Sequence, residues 1–392
     1  MIKNYNRIYF LGIGGIGMSS LAFYFINENK YVAGYDKVNS DITKSLSNNG
    51  AKIHFTDNYL SIPSQFLNQS ETLVVYTPAI SKFNKEYKYF KDNGFEILKR
   101  SELLGLISKD KFCIAIGGTH GKTTTSTILS HILLENNISF TSFIGGISEN
   151  YNTNFIQNGN DIILVEADEF DRSFHTLFPN IACVTSTDSD HLDIYNSEQE
   201  LKKSFIQFTD NIKSKGLLFS NEKTLLGGIS YGFSSESEYF ISNYSSAKYS
   251  SFFDINHNGS LIASVKFNMP GKHNALNALA AFAIGKELNI DYKSTQNIPK
   301  RYLSNGMITG NKPKDFLYDF IIEVTSFDIK VGNSPSKTVK GNTARNNSKA
   351  VADINSQGRG TVVRISNIKA NAKDGDFINP NYIVNDFIVI LE

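Results

Sequence analysis

Between Cys113 and Ser126 the chain reads CIAIGGTHGKTTTS, and the residue types crowded there are those that handle phosphate. Glycines let successive backbone N–H groups turn inward onto phosphate oxygens. A lysine can reach the β- and γ-phosphates of a nucleotide, and a hydroxyl directly after it can bind Mg2+. The strict phosphate-loop pattern wants a further glycine where Ile116 stands. What is present is the shorter Gly118-x-x-Gly121-Lys122-Thr123, with Thr119, His120 and Thr124 filling out the loop. A lysine in a polar turn is the plainer alternative. The surroundings argue against it, because FCIAI reads as a strand leading in and TTTSTILSHILLEN as a helix whose positive end faces the loop.

Two clusters of carboxylates follow. ILVEADEFDRSF is an apolar strand that ends in Glu166, Asp168, Glu169 and Asp171. IACVTSTDSDHLDIY is another, ending in Asp188, Asp190, His191 and Asp193. Carboxylates at the C-terminal ends of parallel strands beside a phosphate loop are placed to hold a hard cation. A lone histidine is usually structural, but one set among carboxylates at a strand end favours the metal or its hydration shell. Asp171 and Asp193 are read as helix caps or turn residues.

Upstream lies a second glycine loop of another kind. RIYFL reads as a buried strand, Gly12, Gly14 and Gly17 give G-x-G-x-x-G, and MSSLAFYFINEN continues as a helix. That is the strand, tight turn and helix N-terminus of a dinucleotide fingerprint. A second strand, YVAGYD, ends in Asp36, about twenty residues on, where a carboxylate can take ribose hydroxyls. The pattern does not name the nucleotide; NAD is the default, and a glycine turn without a ligand is the plainer alternative.

Apolar strands alternating with helices make the class α/β. A length of 392 residues suits two or three domains. Hydrophobic content of 41%, charge of 20% and a net charge of +1 give no nucleic-acid or membrane-surface footprint. Cys113 and Cys183, the only cysteines, sit in apolar runs and are expected in the core, which suits a reducing cytoplasm. The run IYFLGIGGIGMSSLAFYFI is too broken by glycine and serine for a signal peptide or anchor, so no targeting segment or membrane insertion is expected.

YFLGIGGIGMSSLAFYF, GGTHGKTTTS, VEADEFDRSF, TSTDSDHLDIY and MPGKHNALNALAA occur in the order and spacing of the Mur ligases, which residues 1–298 resemble. The first and fourth stretches resemble the branch that joins L-alanine to UDP-N-acetylmuramate. The resemblance implies a Rossmann-like domain over 1–108 whose loop (Gly12, Gly14, Gly15, Gly17, Met18, Ser19, with Asp36) binds the UDP part of the sugar substrate rather than NAD. It implies a central ATP-binding domain over 109–298. There Gly118, Thr119, His120, Gly121, Lys122, Thr123 and Thr124 hold ATP, and Lys122 takes the γ-phosphate. Thr123 and Glu169 bind one Mg2+, His191 helps a second, and Asn274 and Asn277, beside His273, face adenine. The implied catalytic residues are Lys122, Glu169 and His191. The implied chemistry is phosphorylation of a muramic acid carboxylate by ATP, then attack by the L-alanine amine on the acyl phosphate.

The family's third α/β domain, with its arginine-rich turn and His-His pair, is not found in this sequence, and His273 is the last histidine. From about Lys300 the texture changes. FIIEVTSFDIKV, TVVRISNIKA and DFIVILE alternate like half-buried strands around one helical stretch, TARNNSKAVADIN. This predicts an α+β or β-sandwich tail over 299–392. SNGMITGNKPKDF, SFDIKVGNSPSKTVKGN and ISNIKA resemble the C-terminal domain of the gliding-motility protein GldM. The change is read as a joined or rearranged reading frame with its seam near Asn297 to Arg301, with a natural fusion as the alternative, and ligase turnover is expected to be impaired. The alternatives are a binding-only truncated ligase and a structural tail of a motility assembly.

Overall fold

The computed structural model describes residues 4–148, 151–188, 195, 197–248, 250–290, 296–298, 321–331, 333–340, 347–356, 362–374, 377–383 and 387–391. The chain divides into two compact units, residues 1–290 and 291–392.

The first unit opens with five parallel strands: β1 (Arg7–Leu11), β2 (Tyr31–Tyr35), β3 (Lys52–His54), β4 (Thr72–Tyr76) and β5 (Glu96–Lys99). Their order, β3-β2-β1-β4-β5, reverses at β1, so the crevice beyond the carboxyl end of β1 is the natural ligand position. The two-residue side-chain period of β1 divides the core. Ile8 and Phe10 face one layer, while Tyr9 and Leu11 face the layer of Phe66 and Phe90. The crossovers carry α1 (Ile16–Asn27), α2 (Asp41–Asn48), α3 (Lys85–Asp92) and α4 (Arg100–Asp110). Helix α1 buries Leu21, Ala22, Tyr24 and Phe25, since it is covered by more than its own sheet.

A ten-stranded sheet follows, in the order β15-β14-β13-β12-β11-β10-β6-β9-β7-β8. At its centre β6 (Phe112–Gly117) pairs in parallel with β9 (Ile162–Ala167) and β10 (Ile181–Val184). Helix α5 (Lys122–Glu135) leaves directly after β6. Next come the hairpin β7 (Phe140–Ser148) and β8 (Thr153–Gln157), α6 (Glu198–Asp210), β11 (Leu217–Asn221) and β12 (Ile229–Gly232). The antiparallel meander β13 (Tyr239–Ala247), β14 (Ser250–His257) and β15 (Ser260–Phe267) leads to α7 (Lys272–Glu287). One hydrophobic cluster runs from Ile8 and Phe10 through Tyr24 to Phe143, Ile163 and Ala182, so both sheets share a core. Cys113 and Cys183 are unpaired and fully buried in it, and burial pushes each thiol up to about 12.

The second unit is a six-stranded sheet: β16 (Gln296–Ile298), β17 (Ile321–Val331), β18 (Lys337–Lys340), β19 (Val362–Asp374), β20 (Phe377–Ile383) and β21 (Phe387–Leu391), with one helix, α8 (Ser348–Ser356). Phe327, Ile329, Val339, Ala350, Ile354, Val363 and Ile365 are buried, which is an α+β core of one sheet and one helix among the described residues. Of the expected seam, Asn297 and Ile298 lie in β16, and residues 299–301 fall outside the described residues. Among the described residues no helix is long and apolar enough to cross a membrane.

Candidate functional site

The second glycine loop is the turn between β6 and α5 that the sequence predicts. Gly118 has φ +131° and Gly121 φ +86°, conformations that side-chain-bearing residues avoid. A Cβ at Gly118 would stand 2.2 Å from Thr185 Oγ1, and one at Gly121 2.4 Å from Asn277 Oδ1. The loop is therefore pressed between the end of β10 and helix α7, and only glycine fits. Thr119 N donates to Ser186 O at 3.1 Å and His120 N to Ser186 Oγ at 2.9 Å. The Thr119 hydroxyl lies 2.7 Å from that of Ser186 and accepts from Asp188 N at 3.1 Å. Thr185 Oγ1 donates to His120 O. Within the described residues, the polar end of β10 braces the loop.

Lys122 opens α5. Its ammonium donates to Gly118 O at 2.6 Å and to both Glu169 oxygens at 2.9 and 2.8 Å. Glu169 is 1% exposed. Its carbonyl accepts from the buried Tyr195 hydroxyl at 2.7 Å; that hydroxyl is 3.3 Å from Ser204 Oγ, itself 2.9 Å from His175 Nε2. The next residue, Thr123, turns elsewhere: its hydroxyl donates to Glu166 Oε2 at 3.0 Å, and Glu166 Oε1 accepts from Gly145 N at 2.7 Å. Burial pushes the Glu166 carboxyl above its ordinary range, against the pull of the Gly145 N–H, the Thr123 hydroxyl and Lys122.

The expected grouping of Thr123 with Glu169 is thus not the one the fold makes. Glu166 still lies within β9, opposite Ile116 of β6. Glu169 stands beyond the strand, at the start of the 3-10 helix Phe170–Thr176 that also contains Asp171. Asp168 offers its carbonyl to Phe174 N and Ser173 Oγ, both at 3.0 Å. Asp190, His191 and Asp193 lie outside the described residues. Among the described residues no group of three or more His, Cys, Asp and Glu side chains is arranged to hold a metal. A hydroxyl beside a half-buried carboxylate does fit Mg2+, which takes oxygen donors, keeps several waters and shares its shell with phosphates. Thr123 and Glu166 are that pair. On α7, Asn277 lies buried against Gly121, while Asn274 Nδ2 caps Pro270 O at 2.7 Å and His273 is exposed. Thr124 is half-buried in the first turn of α5.

The first loop is a tight turn after β1. Gly12 N and Ile13 N both donate to Tyr35 O, at 2.8 and 3.1 Å. Asp36 sits under it, accepting from Gly14 N at 2.7 Å and Val38 N at 3.0 Å. Asp36 therefore shapes the turn with one lone pair of each oxygen. Gly15 caps α1 in an extended conformation. Met18 and Ser19, grouped with the loop by resemblance, are buried at 1% and 0% exposure, because their helical positions face the core. Their N–H groups already donate to Gly15 O, at 3.0 and 2.8 Å. Two residues escaped the sequence reading. A Cβ at Gly17 would stand 2.5 Å from Arg100 Nη1, so the Arg100 guanidinium lies across the first turn of α1. Its signal was an arginine at a strand end opening a helix, in EILKRSELL. Asn154 of β8 donates to Ile16 O and, at 2.9 Å, to Ser19 Oγ. No local pattern marks it.

One loop thus gathers a cation and helix N–H groups, and the other a guanidinium beside a helix N-terminus, groups whose chemistry suits anions. Comparison with known proteins shows what the chain is similar to. The family description "Mur ligase family, catalytic domain" matches residues 7–112, and "Mur ligase middle domain" matches residues 116–285. The UDP-N-acetylmuramate–L-alanine ligase of Flavobacterium psychrophilum is 47% identical over 285 residues, 73% of this chain and 63% of that protein. That of Porphyromonas gingivalis strain W83 is 41% identical over 288 residues, 71% of this chain and 63% of that protein. Among solved structures, UDP-N-acetylmuramate-alanine ligase from Thermotoga maritima superposes with a TM-score of 0.64 at 28% identity, over 73% of this chain and 66% of that one. The chain spans about 63% of the length of the curated relatives it matches.

Proposed function

We propose that this chain, which carries the catalytic and middle domains of the Mur ligase family over residues 7–285, is an ATP-dependent ligase that joins L-alanine to UDP-N-acetylmuramate in the cytoplasm. The observation that carries the reading is the Lys122 ammonium at the mouth of a glycine turn, beside the Thr123–Glu166 pair. A carboxylate is a poor electrophile, and two anions must meet before it can become an acyl phosphate. Lys122 supplies the positive charge that makes the encounter tolerable, and the N–H groups opening α5 hold the phosphates. Mg2+, when bound with ATP, neutralises charge on the phosphates; Thr123 and Glu166 would hold it, with Glu169 and His191 as the further candidates. Asn277, packed on Gly121, is the adenine-side residue, with Asn274 one helical turn before it. At the other loop Gly12 to Gly17, the α1 N-terminus and Arg100 take the pyrophosphate of the sugar nucleotide. No side-chain nucleophile is needed, because the L-alanine amine attacks the carbonyl itself and phosphate leaves.

The domain reading that goes with this is 1–108 for the sugar nucleotide, 109–298 for ATP and 299–392 as a separate β-rich module. Likeness of that module to the GldM C-terminal domain belongs to the same proposal. It rests on sequence texture alone, and co-purification with envelope proteins from native cells tests it. For the ligase reading the test is isotopic. With 18O in the muramic acid carboxylate, ATP turnover through an acyl phosphate must deliver one 18O into released phosphate when the carbonyl is attacked. ADP formation that ignores the sugar nucleotide, or phosphate without label, sinks the reading.

A further inference from the structure

The two loops are joined by one element, the β7–β8 hairpin. From β7, Gly145 N donates to Glu166 Oε1 at 2.7 Å, and the other oxygen of that carboxylate takes the Thr123 hydroxyl. A Cβ at Gly146 would stand 3.3 Å from Thr123 Cγ2. From the facing stretch of β8, Asn154, 3% exposed, donates from one amide nitrogen to Ile16 O and Ser19 Oγ in the first turn of α1. Aromatic contacts seat the hairpin on the same helix, Phe143 against Tyr24 at 5.6 Å and Phe155 against Phe23 at 6.1 Å. The ladder between the strands is regular up to Phe143↔Phe155 and resumes only at Ser148↔Thr153. Between these pairs β7 has Ile144 to Ile147 and β8 has Asn154 alone, so this stretch has no ladder pair of its own between the two strands and touches both loops.

We propose that this hairpin couples the two loops energetically, and that Asn154 is the positioning residue that passes occupancy of one on to the other. This rests on reading both loops as ligand sites. A counter-ion held by Thr123 and Glu166 would draw the Glu166 carboxylate toward the nucleotide's phosphates, and the Gly145 N–H on its Oε1 would follow it or let go. Either response acts on the unpaired stretch Ile144–Ile147 of β7. Opposite that stretch on β8 is Asn154, which holds a carbonyl and a hydroxyl in the turn that presents the other loop's N–H groups. Coupling is reciprocal, so the sugar nucleotide must bias the nucleotide site by the same factor.

The test is a linkage measurement on the full chain by titration calorimetry. The affinity for UDP-N-acetylmuramate is measured with and without saturating β,γ-imido-ATP and Mg2+, and the reverse. The unaltered chain is expected to show coupling of roughly fivefold or more. In Asn154→Leu, which fills the same space without the donor, and in Asn154→Ala, each ligand alone should bind within about threefold of the unaltered chain while the coupling falls toward one. A merely structural asparagine would weaken both ligands and leave their ratio intact. Hydrogen exchange keeps the idea testable should the variants fold poorly: the nucleotide analogue alone should slow exchange at amides of α1 in the unaltered chain. Both ligands binding without coupling, or coupling that survives both substitutions, overturns the inference alone. Binding of neither ligand overturns the functional reading and this inference together.

Discussion

Lys122 and Glu169 cannot be changed one at a time without consequence. The carboxylate is 1% exposed and both its oxygens are on the ammonium. Lys122→Ala strands a buried charge, which typically costs about 3–5 kcal/mol. The same change should remove phosphoryl transfer, by a factor of roughly 100–1,000 for one lost electrostatic donor. The two effects separate in the pair Lys122→Met with Glu169→Gln. We expect it to recover most of the melting temperature and none of the ATP turnover; turnover returning with stability would show that Lys122 acts only as a structural partner. A second residue sets a pH dependence far from this loop. Glu86, 0% exposed, accepts from the Tyr9 hydroxyl at 2.7 Å, and that hydroxyl also lies 2.8 Å from His54 Nε2. Burial raises the Glu86 carboxyl from 4.5 to about 7. Between those values the folded chain binds a proton that the unfolded chain has lost, so stability falls as pH rises through the interval and is level above it. The full effect is at most roughly 3 kcal/mol. Burial lowers the His54 pKa, which removes stability as pH falls below 6.5, so the comparison must be made against Glu86→Gln at each pH. The variant should be the more stable at pH 8, with the advantage shrinking by pH 5. An advantage that does not vary with pH would show that Glu86 is not the titrating group.

Elements decide how far such residues can be read in advance. The glycine turns were legible because strand, turn and helix follow within a few residues, and φ above zero leaves glycine as the only choice at Gly118 and Gly121. The tail strands were legible from their period of two, although one sheet and one helix make the core where a sandwich was an equal expectation. Metal ligands were harder. Residues three apart at a strand end, Glu166 and Glu169, look alike in sequence, and only the point where β9 stops turns one to Thr123 and the other to Lys122. Asn154 was invisible because its partner Ser19 is distant in sequence; Arg100 had a local signal, but only the fold shows that it reaches Gly17. The segment after β10 was read for its carboxylates and His191, of which Asp190 and His191 lie outside the described residues; Ser186, which that reading passed over, uses its backbone and hydroxyl to hold the glycine loop. Ser186→Ala leaves His120 N without its acceptor and the Thr119 hydroxyl without its partner, at a cost of about 1–2 kcal/mol. ATP affinity should therefore fall roughly tenfold in a calorimetric titration, with UDP-N-acetylmuramate affinity unchanged in the absence of ATP. Unaltered ATP affinity would mean that the brace is not needed to shape the loop.

At the scale of the whole chain the question is how far binding and turnover go together. Residues 1–290 form one unit with a core shared by both sheets, so a ligand at either loop should stabilise all of it. At a hundred times its dissociation constant a ligand adds about 2.7 kcal/mol, a shift of several degrees. UDP-N-acetylmuramate should produce that shift and NAD(H) none; the reverse would return the first loop to the dinucleotide reading. Turnover asks for more. The match to the ligases ends with the middle domain at residue 285, and beyond 290 the described residues form a largely antiparallel sheet with one helix. On the proposed reading the candidates for holding the phosphates and the sugar nucleotide lie within residues 1–290, while the groups that would orient the L-alanine amine over the carbonyl have no candidate among the residues described. Losing oriented approach can remove about 7 kcal/mol or more of barrier lowering, and an open cleft lets water reach an acyl phosphate before an amine does. Released phosphate is thus expected to exceed UDP-N-acetylmuramoyl-L-alanine when both are measured on one sample of the 392-residue chain. Amide should form well below the roughly 1 per second of an ordinary enzyme. One amide per phosphate at that ordinary rate would show that residues 299–392 supply what the relatives' remaining third supplies, and the expectation of impaired turnover would fall.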